Sequence, residues 1–204
     1  MTLVDLSVVV NEDTPAYPGD PKIKIDVTGV FEKDTYNDHL VAFDVHSSGT
    51  HIDAPWHMVE GGKTLDQIQI EQFIGRGRLI KLENKTFSLE AVKLAGIDMS
   101  DIVLFHSGMS DIYGKDEYYS NRPEMSEEIA HYLVDKKVKM IGVDMCSPDD
   151  KPFPVHGILL SAGVLIIENL TNLAGLEGKE FTVYALPIKL QLDGAPARVI
   201  AEVK

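Results

Sequence analysis

The sequence predicts a mixed α/β domain, rich in strand, with few and short helices. Three observations point there. β-like stretches fill the first third, and KIKIDV among them alternates apolar and polar residues as a strand with one wet face does. In the middle, two capped helices each lead into a compact apolar run, which is helix–strand alternation with some parallel pairing. Beyond the last candidate helix only strands remain.

Taken in order, residues 2–7 (TLVDLS), 22–28 (KIKIDVT) and 39–46 (HLVAFDVH) read as strands, with the turn-rich DTPAYPGDP between the first two. Residues 76–82 (RGRLIKL) read as another. Ser88 opens a helix that Gly96 stops. Ser126 opens a second, with acids early and lysines late to complement the helix dipole. The runs IVLF (102–105) and MIGV (140–143) follow them as strands. HGILLSAG (156–163) is a third, short helix leading into a buried strand, VLIIENL (164–170). FTVYALPIKL and ARVIAEV finish the chain as strands. No repeat or linker divides it, so residues 1–204 are expected to be one domain.

Hydrophobic residues make up 44% and charged residues 25%, an ordinary globular balance that excludes a fibrous or wholly disordered chain. The formal charge of −13 argues against nucleic acid or an anionic membrane as the main partner. Cys146 is alone, so no intrachain disulfide and no C-x-x-C zinc site can form. The opening MTLVDLSVVVNEDT lacks the basic start of a signal peptide, and no apolar run reaches about 18 residues. A cytoplasmic protein is expected.

Several chemistries have no motif. GKT at 62–64 has His57 where a P-loop needs glycine, and G-x-G-x-x-G, G-x-S-x-G and H-E-x-x-H are absent. Histidine is concentrated instead, three of the seven falling within residues 46–57, HSSGTHIDAPWH. In an extended stretch His51 and Asp53 point to the same side, and one imidazole beside one carboxylate is half of a zinc or manganese site. Pro55 should turn the chain and swing His57 back toward the same pocket. Glu168 sits within the apolar run, where a carboxylate needs a metal, a cation or a proton. His39, His106 and His131 read as structural or surface residues. Cys146 reads as an unreactive thiol, and Asp149 and Asp150 as solvated.

Gly49-Thr50-His51-Ile52-Asp53-Ala54-Pro55-Trp56-His57 resembles the signature of the cyclase family of metal-dependent hydrolases, which includes kynurenine formamidases and isatin hydrolases. The likeness extends to Tyr17 followed by Pro-Gly-Asp, to the pair His156 and Glu168, and to the ending GAPARVIAEV. It implies a swivelling β/β/α fold and a homo-oligomer, a homodimer or homotetramer. His51, Asp53, His156 and Glu168 would be metal ligands, Asp53 bridging two ions. His57 would be the catalytic acid/base, and Tyr17 would line the substrate pocket.

The implied cofactor is a divalent metal, zinc or manganese, and the implied partner a small-molecule substrate. The implied reaction is hydrolysis of a carbonyl–nitrogen bond by metal-activated water, as in an arylformamidase acting on N-formylkynurenine or a cyclic-amide hydrolase. The family pattern H-x-G-T-H puts a ligand histidine at position 47, where this chain has Ser47 and carries its histidine one place earlier, at His46. Neighbours on a strand face opposite sides, so His46 serves only if a bulge re-aims it. One well-held ion, on Asp53, His156 and Glu168 with His51 beside them, is therefore the expectation. A lactone or ester hydrolase, and a non-catalytic ligand-binding member, remain the alternatives.

Overall fold

The structure is a computed structural model that describes residues 2–204. Its strands are β1 (Thr2–Asp5), β2 (Lys24–Gly29), β3 (Asp38–Ala42), β4 (His51–Asp53), β5 (Ile74–Lys81), β6 (Ile102–His106), β7 (Met140–Val143), β8 (Leu165–Glu168), β9 (Phe181–Pro187) and β10 (Gly194–Val203). The helices are short: α1 (Phe31–Asp34), α2 (Leu89–Leu94), α3 (Asp116–Ser120), α4 (Glu127–Asp135) and α5 (Pro154–Ser161). The main sheet runs β1-β10-β4-β8-β7-β6-β5-β9, and a further β9–β10 pairing closes it into a barrel. β5, β6, β7 and β8 pair in parallel, and the remaining ladders are antiparallel. Closure rests on the length of β10. It pairs with β9 along one side and with β4 and then β1 along the other.

Period-two alternation sorts the barrel strands. Ile102, Leu104, Met140, Leu165 and Ile167 fill the interior, with Ile52 and Val199. Val103, Phe105, Ile141, Val143 and Ile166 face outward and are covered by the buried sides of α2, α4 and α5, through Val92, Ile129, Leu133, Val155 and Leu159. The mixed, strand-rich expectation holds. Ser88 and Ser126 cap α2 and α4 as anticipated, accepting from the backbone N–H of Ala91 and Ile129. α5 begins two residues before its expected start, because Pro154 fits the first helical position.

The stretch 39–46 departs from expectation. β3 ends at Ala42, and Val45–Ser47 forms a turn of 3-10 helix started by Asp44, whose side chain accepts from the His46 N–H. β2 and β3 form a separate two-stranded arm that leaves Val27, Phe31, Tyr36 and Leu40 exposed.

Thr50 fastens the chain just ahead of β4. Its buried hydroxyl donates to the Asn169 carbonyl at 2.7 Å and accepts from the Val8 N–H at 3.0 Å. Thr50→Val keeps the shape but strands both groups, so it should lower stability by about 2 kcal/mol, read as a shift of the urea midpoint at unchanged slope.

Candidate metal centre

The candidate site lies on the outer face of β4 and β8, where α5 and two 3-10 turns converge. Ile52 points into the barrel, so His51 and Asp53 point out. β8 is the antiparallel neighbour of β4, and its register sets Glu168 directly opposite His51. α5 brings His156 over the pair. His51, Asp53, His156 and Glu168 are all buried. His51 Nε2 lies 3.5 Å from Asp53 Oδ1 and 3.4 Å from Glu168 Oε2. His156 Nε2 lies 3.3 Å from Glu168 Oε1 and 3.7 Å from Asp53 Oδ2.

The outward atoms of these rings are tied down. His51 Nδ1–H donates to the Gly49 carbonyl at 2.8 Å. His156 Nδ1–H donates to Asp149 Oδ1 at 2.5 Å, while Asp149 Oδ2 accepts the N–H groups of Val155 and His156. One carboxylate thus caps α5 and orients its histidine. Asp149 is buried rather than solvated, because the first N–H groups of α5 require an acceptor and the N-cap residue, Phe153, has no side-chain acceptor to offer. Asp150 lies partly exposed and pairs with Arg122.

Pro55 turns the chain, and Pro55–His57 is a single 3-10 turn. It places the His57 ring 6.0 Å from that of His156 and 3.9 Å from that of His46. His46 also reaches the site, by a route that strand geometry does not offer. The 3-10 turn at Val45–Ser47 advances three residues per revolution, so His46 faces Asp53 while Ser47 turns away. His46 Nδ1 is 3.0 Å from Asp53 Oδ1, and Nε2 is 2.9 Å from Asp193 Oδ2. The Ser47 hydroxyl donates to Asp20 at 2.8 Å and accepts from the Tyr17 N–H at 3.0 Å, so it anchors the N-terminal loop instead of joining the centre. Asp193, beside the turn into β10, carries no motif and is legible only once the fold places it.

The electrostatics match this crowding. Burial disfavours charge on His46, yet the carboxylates of Asp53 and Asp193 outweigh it and raise its pKa to about 10. Burial likewise opposes charge on His156, and Asp149, Asp53 and Glu168 pull it well above its ordinary value. Burial would raise Asp53, but hydrogen bonds to His156 and His46 hold it well below the usual carboxylate range. His57 goes the other way: burial lowers it, leaving a neutral imidazole. Burial pushes the Cys146 thiol up to about 12, far from a reactive thiolate.

Two buried atoms of the ring, His51 Nε2 and Glu168 Oε1, have no hydrogen-bond partner. With Nδ1–H committed to Gly49, the His51 Nε2 lone pair faces carboxylate oxygens, an arrangement that a cation between them relieves. Asp53, His156 and Glu168 offer donor atoms within 4.8 Å of one another, and so do His46, His51 and Asp53. Mixed imidazole and carboxylate donors suit a divalent transition metal, so the residues fit such an ion. Above them opens a cleft of about 330 Å³ walled by Tyr17, Met58 and Phe153.

The sequence model of the cyclase family matches residues 4–150. A kynurenine formamidase of Bacillus thuringiensis (strain Al Hakam) is 30% identical over 206 residues, taking in 97% of this chain and 95% of that one. A solved structure described as a potential metal-dependent hydrolase with cyclase activity is 31% identical with a TM-score of 0.80, over 98% of this chain and 96% of that one. An isatin hydrolase bound to the product analogue thioisatinate reaches a TM-score of 0.89 over 99% of this chain and 92% of that one. Its 22% identity makes that likeness one of fold.

Asp149 sets the direction of His156, and an outer carboxylate of this kind tunes ligand strength. Asp149→Asn should weaken divalent-metal affinity by about 10–100-fold, measured by competition with a chromogenic chelator.

Proposed function

Since the chain belongs to the cyclase family, whose model spans most of its length, we propose that it is a metal-dependent hydrolase that opens a carbonyl–nitrogen bond. The substrate class is an arylformamide such as N-formylkynurenine, or a cyclic amide. The observation that carries this reading is the buried ring of Asp53, His156 and Glu168, with His51 beside it, at the floor of a cleft with aromatic walls. The 30% identity with a kynurenine formamidase over 97% of this chain supports the choice of substrate.

Asp53, His156, Glu168 and His51 would hold the ion, zinc or manganese. When bound, the cation acidifies a water and steadies the negative charge that gathers on the carbonyl oxygen. The protein supplies the rest. Tyr17 and Phe153 flank the cleft and give it aromatic surface against which a flat substrate can pack. Ser47 fixes Tyr17 there through its backbone N–H. His57 is held neutral by burial, so it can accept a proton near neutral pH. Its Nδ1 faces Asp193 Oδ2 at 3.4 Å, which leaves Nε2 to take the proton from water and return it to the departing nitrogen.

His57→Ala should lower kcat for an arylformamide by about 10²–10⁴-fold while metal content stays unchanged. Turnover at the original rate would remove His57 from the mechanism. An aryl lactone assayed alongside separates amide from ester preference.

We also propose a cytoplasmic homodimer or homotetramer. The β2–β3 arm supports it, since an isolated two-stranded ribbon is marginal in water and this one leaves Phe31 and Leu40 bare. Phe31→Ser with Leu40→Ser should lower the mass seen by light scattering without unfolding the barrel.

A further inference from the structure

We propose that Lys151 is a specificity residue of the cleft: its ammonium binds a negatively charged group carried by the substrate, so aryl amides with an acidic substituent are preferred to neutral ones. The inference rests on the hydrolase reading above and narrows it, from the bond that is broken to the substrate that is chosen.

The first observation is charge. Among the described residues lining the cleft, Lys151 is the only lysine or arginine. Asp20 and Asp44 line it as well, with Asp53 and Glu168 at the floor. The chain as a whole carries a formal charge of −13. An anionic substituent is therefore repelled by the molecule as a whole and attracted at one point of the cleft.

The second is that the ammonium is uncommitted. Asp20 accepts the Ser47 hydroxyl at 2.8 Å, and Asp44 accepts the His46 N–H at 3.0 Å. The acids next to Lys151 in sequence are engaged too, Asp149 by α5 and His156 and Asp150 by Arg122. Lys151 is exposed and pairs with no carboxylate among the described residues.

The third is placement. Arg122 clamps the segment ahead of Lys151, donating to the carbonyls of Ser147 at 3.1 Å and Asp149 at 2.7 Å. Lys151 then sits inside a turn closed by the Phe153 N–H on the Asp150 carbonyl at 2.7 Å. Phe153 ends that turn in the left-handed region, φ 63°, which is costly for a bulky residue. Its ring meets that of His156 at 5.5 Å, so the turn is fastened beside the candidate ligands. A backbone held on both sides loses little freedom when the ammonium is engaged.

Lys151 touches no reacting atom in this reading. It supplies uniform binding, which lowers KM and leaves kcat alone. An exposed ion pair is worth about a fivefold preference at most, and salt screens it.

The test uses protein loaded with zinc or manganese and three probes: formanilide, and the 3- and 4-formamidobenzoates that add one carboxylate to it. The readout is kcat/KM for acid over neutral substrate, each variant's ratio being divided by that of wild type to remove intrinsic reactivity. Lys151→Met should lower the ratio for at least one acid by about fivefold through KM, and high salt should do the same to wild type. Lys151→Arg should keep the ratio and Lys151→Glu should lower it further. A lysine that served only to support the turn would weaken all three substrates together and leave the ratio fixed. If wild type accepts the acids and not formanilide, a rise in their KM with Lys151→Met is the supporting result. A ratio or KM that Lys151→Met leaves unchanged for both acids, or turnover of formanilide alone, overturns the inference and leaves the hydrolase reading standing. No turnover of any probe by wild type overturns both.

Discussion

Asp53 is buried beneath three histidine rings, and most of the local structure can be read as the means of keeping a carboxylate there. An unpaired charge in such a place would be strongly destabilising. Each neighbouring element answers with a partner of opposite character. The 3-10 turn before β4 delivers His46, β4 itself delivers His51, and α5 delivers His156. Glu168 then adds a second negative group across the ladder. The result is a compact knot of alternating donors and acceptors that binds a loop, two strands and a helix to one another.

Much of the fold is legible in the sequence because the barrel obeys local rules. Runs such as IVLF and LII are buried on both faces and stay apolar throughout. Ser88 and Ser126 mark helix starts that the backbone uses. What cannot be read is closure, which depends on one long strand meeting three others. The region after Ala42 is misleading for a different reason. HLVAFDVH has strand composition throughout, yet the Asp44 side chain captures the His46 N–H and turns the backbone. A short polar side chain competing with the ladder is a local event that apolar periodicity does not register.

The same division runs through the site. His51, Asp53, Pro55 and His57 are close in sequence, and their spacing already places them. His156 and Glu168 stand out by chemistry, a histidine at a helix start and a carboxylate in an apolar run. Asp149 and Asp193 lack such a signal. Asp149 stands five residues before Pro154 and acts through space on a helix it does not belong to, although an acid ahead of a proline-led helix is a cue that could have been followed. Asp193 meets His46 and His57 only because β10 pairs with β4. The candidate ligand residues advertise themselves by type, whereas the groups that aim them depend on the fold.

The double duty of Asp149 has a thermodynamic corollary. Its two oxygens hold the first amides of α5 and the ring of His156 together. The helix cannot fray at this end without freeing the imidazole, and the imidazole cannot swing away without loosening the helix. With His156 as a ligand of the proposed ion, ion occupancy and the opening of that first turn would be one linked equilibrium. Amide hydrogens at Val155 and His156 would then report whether the centre is filled.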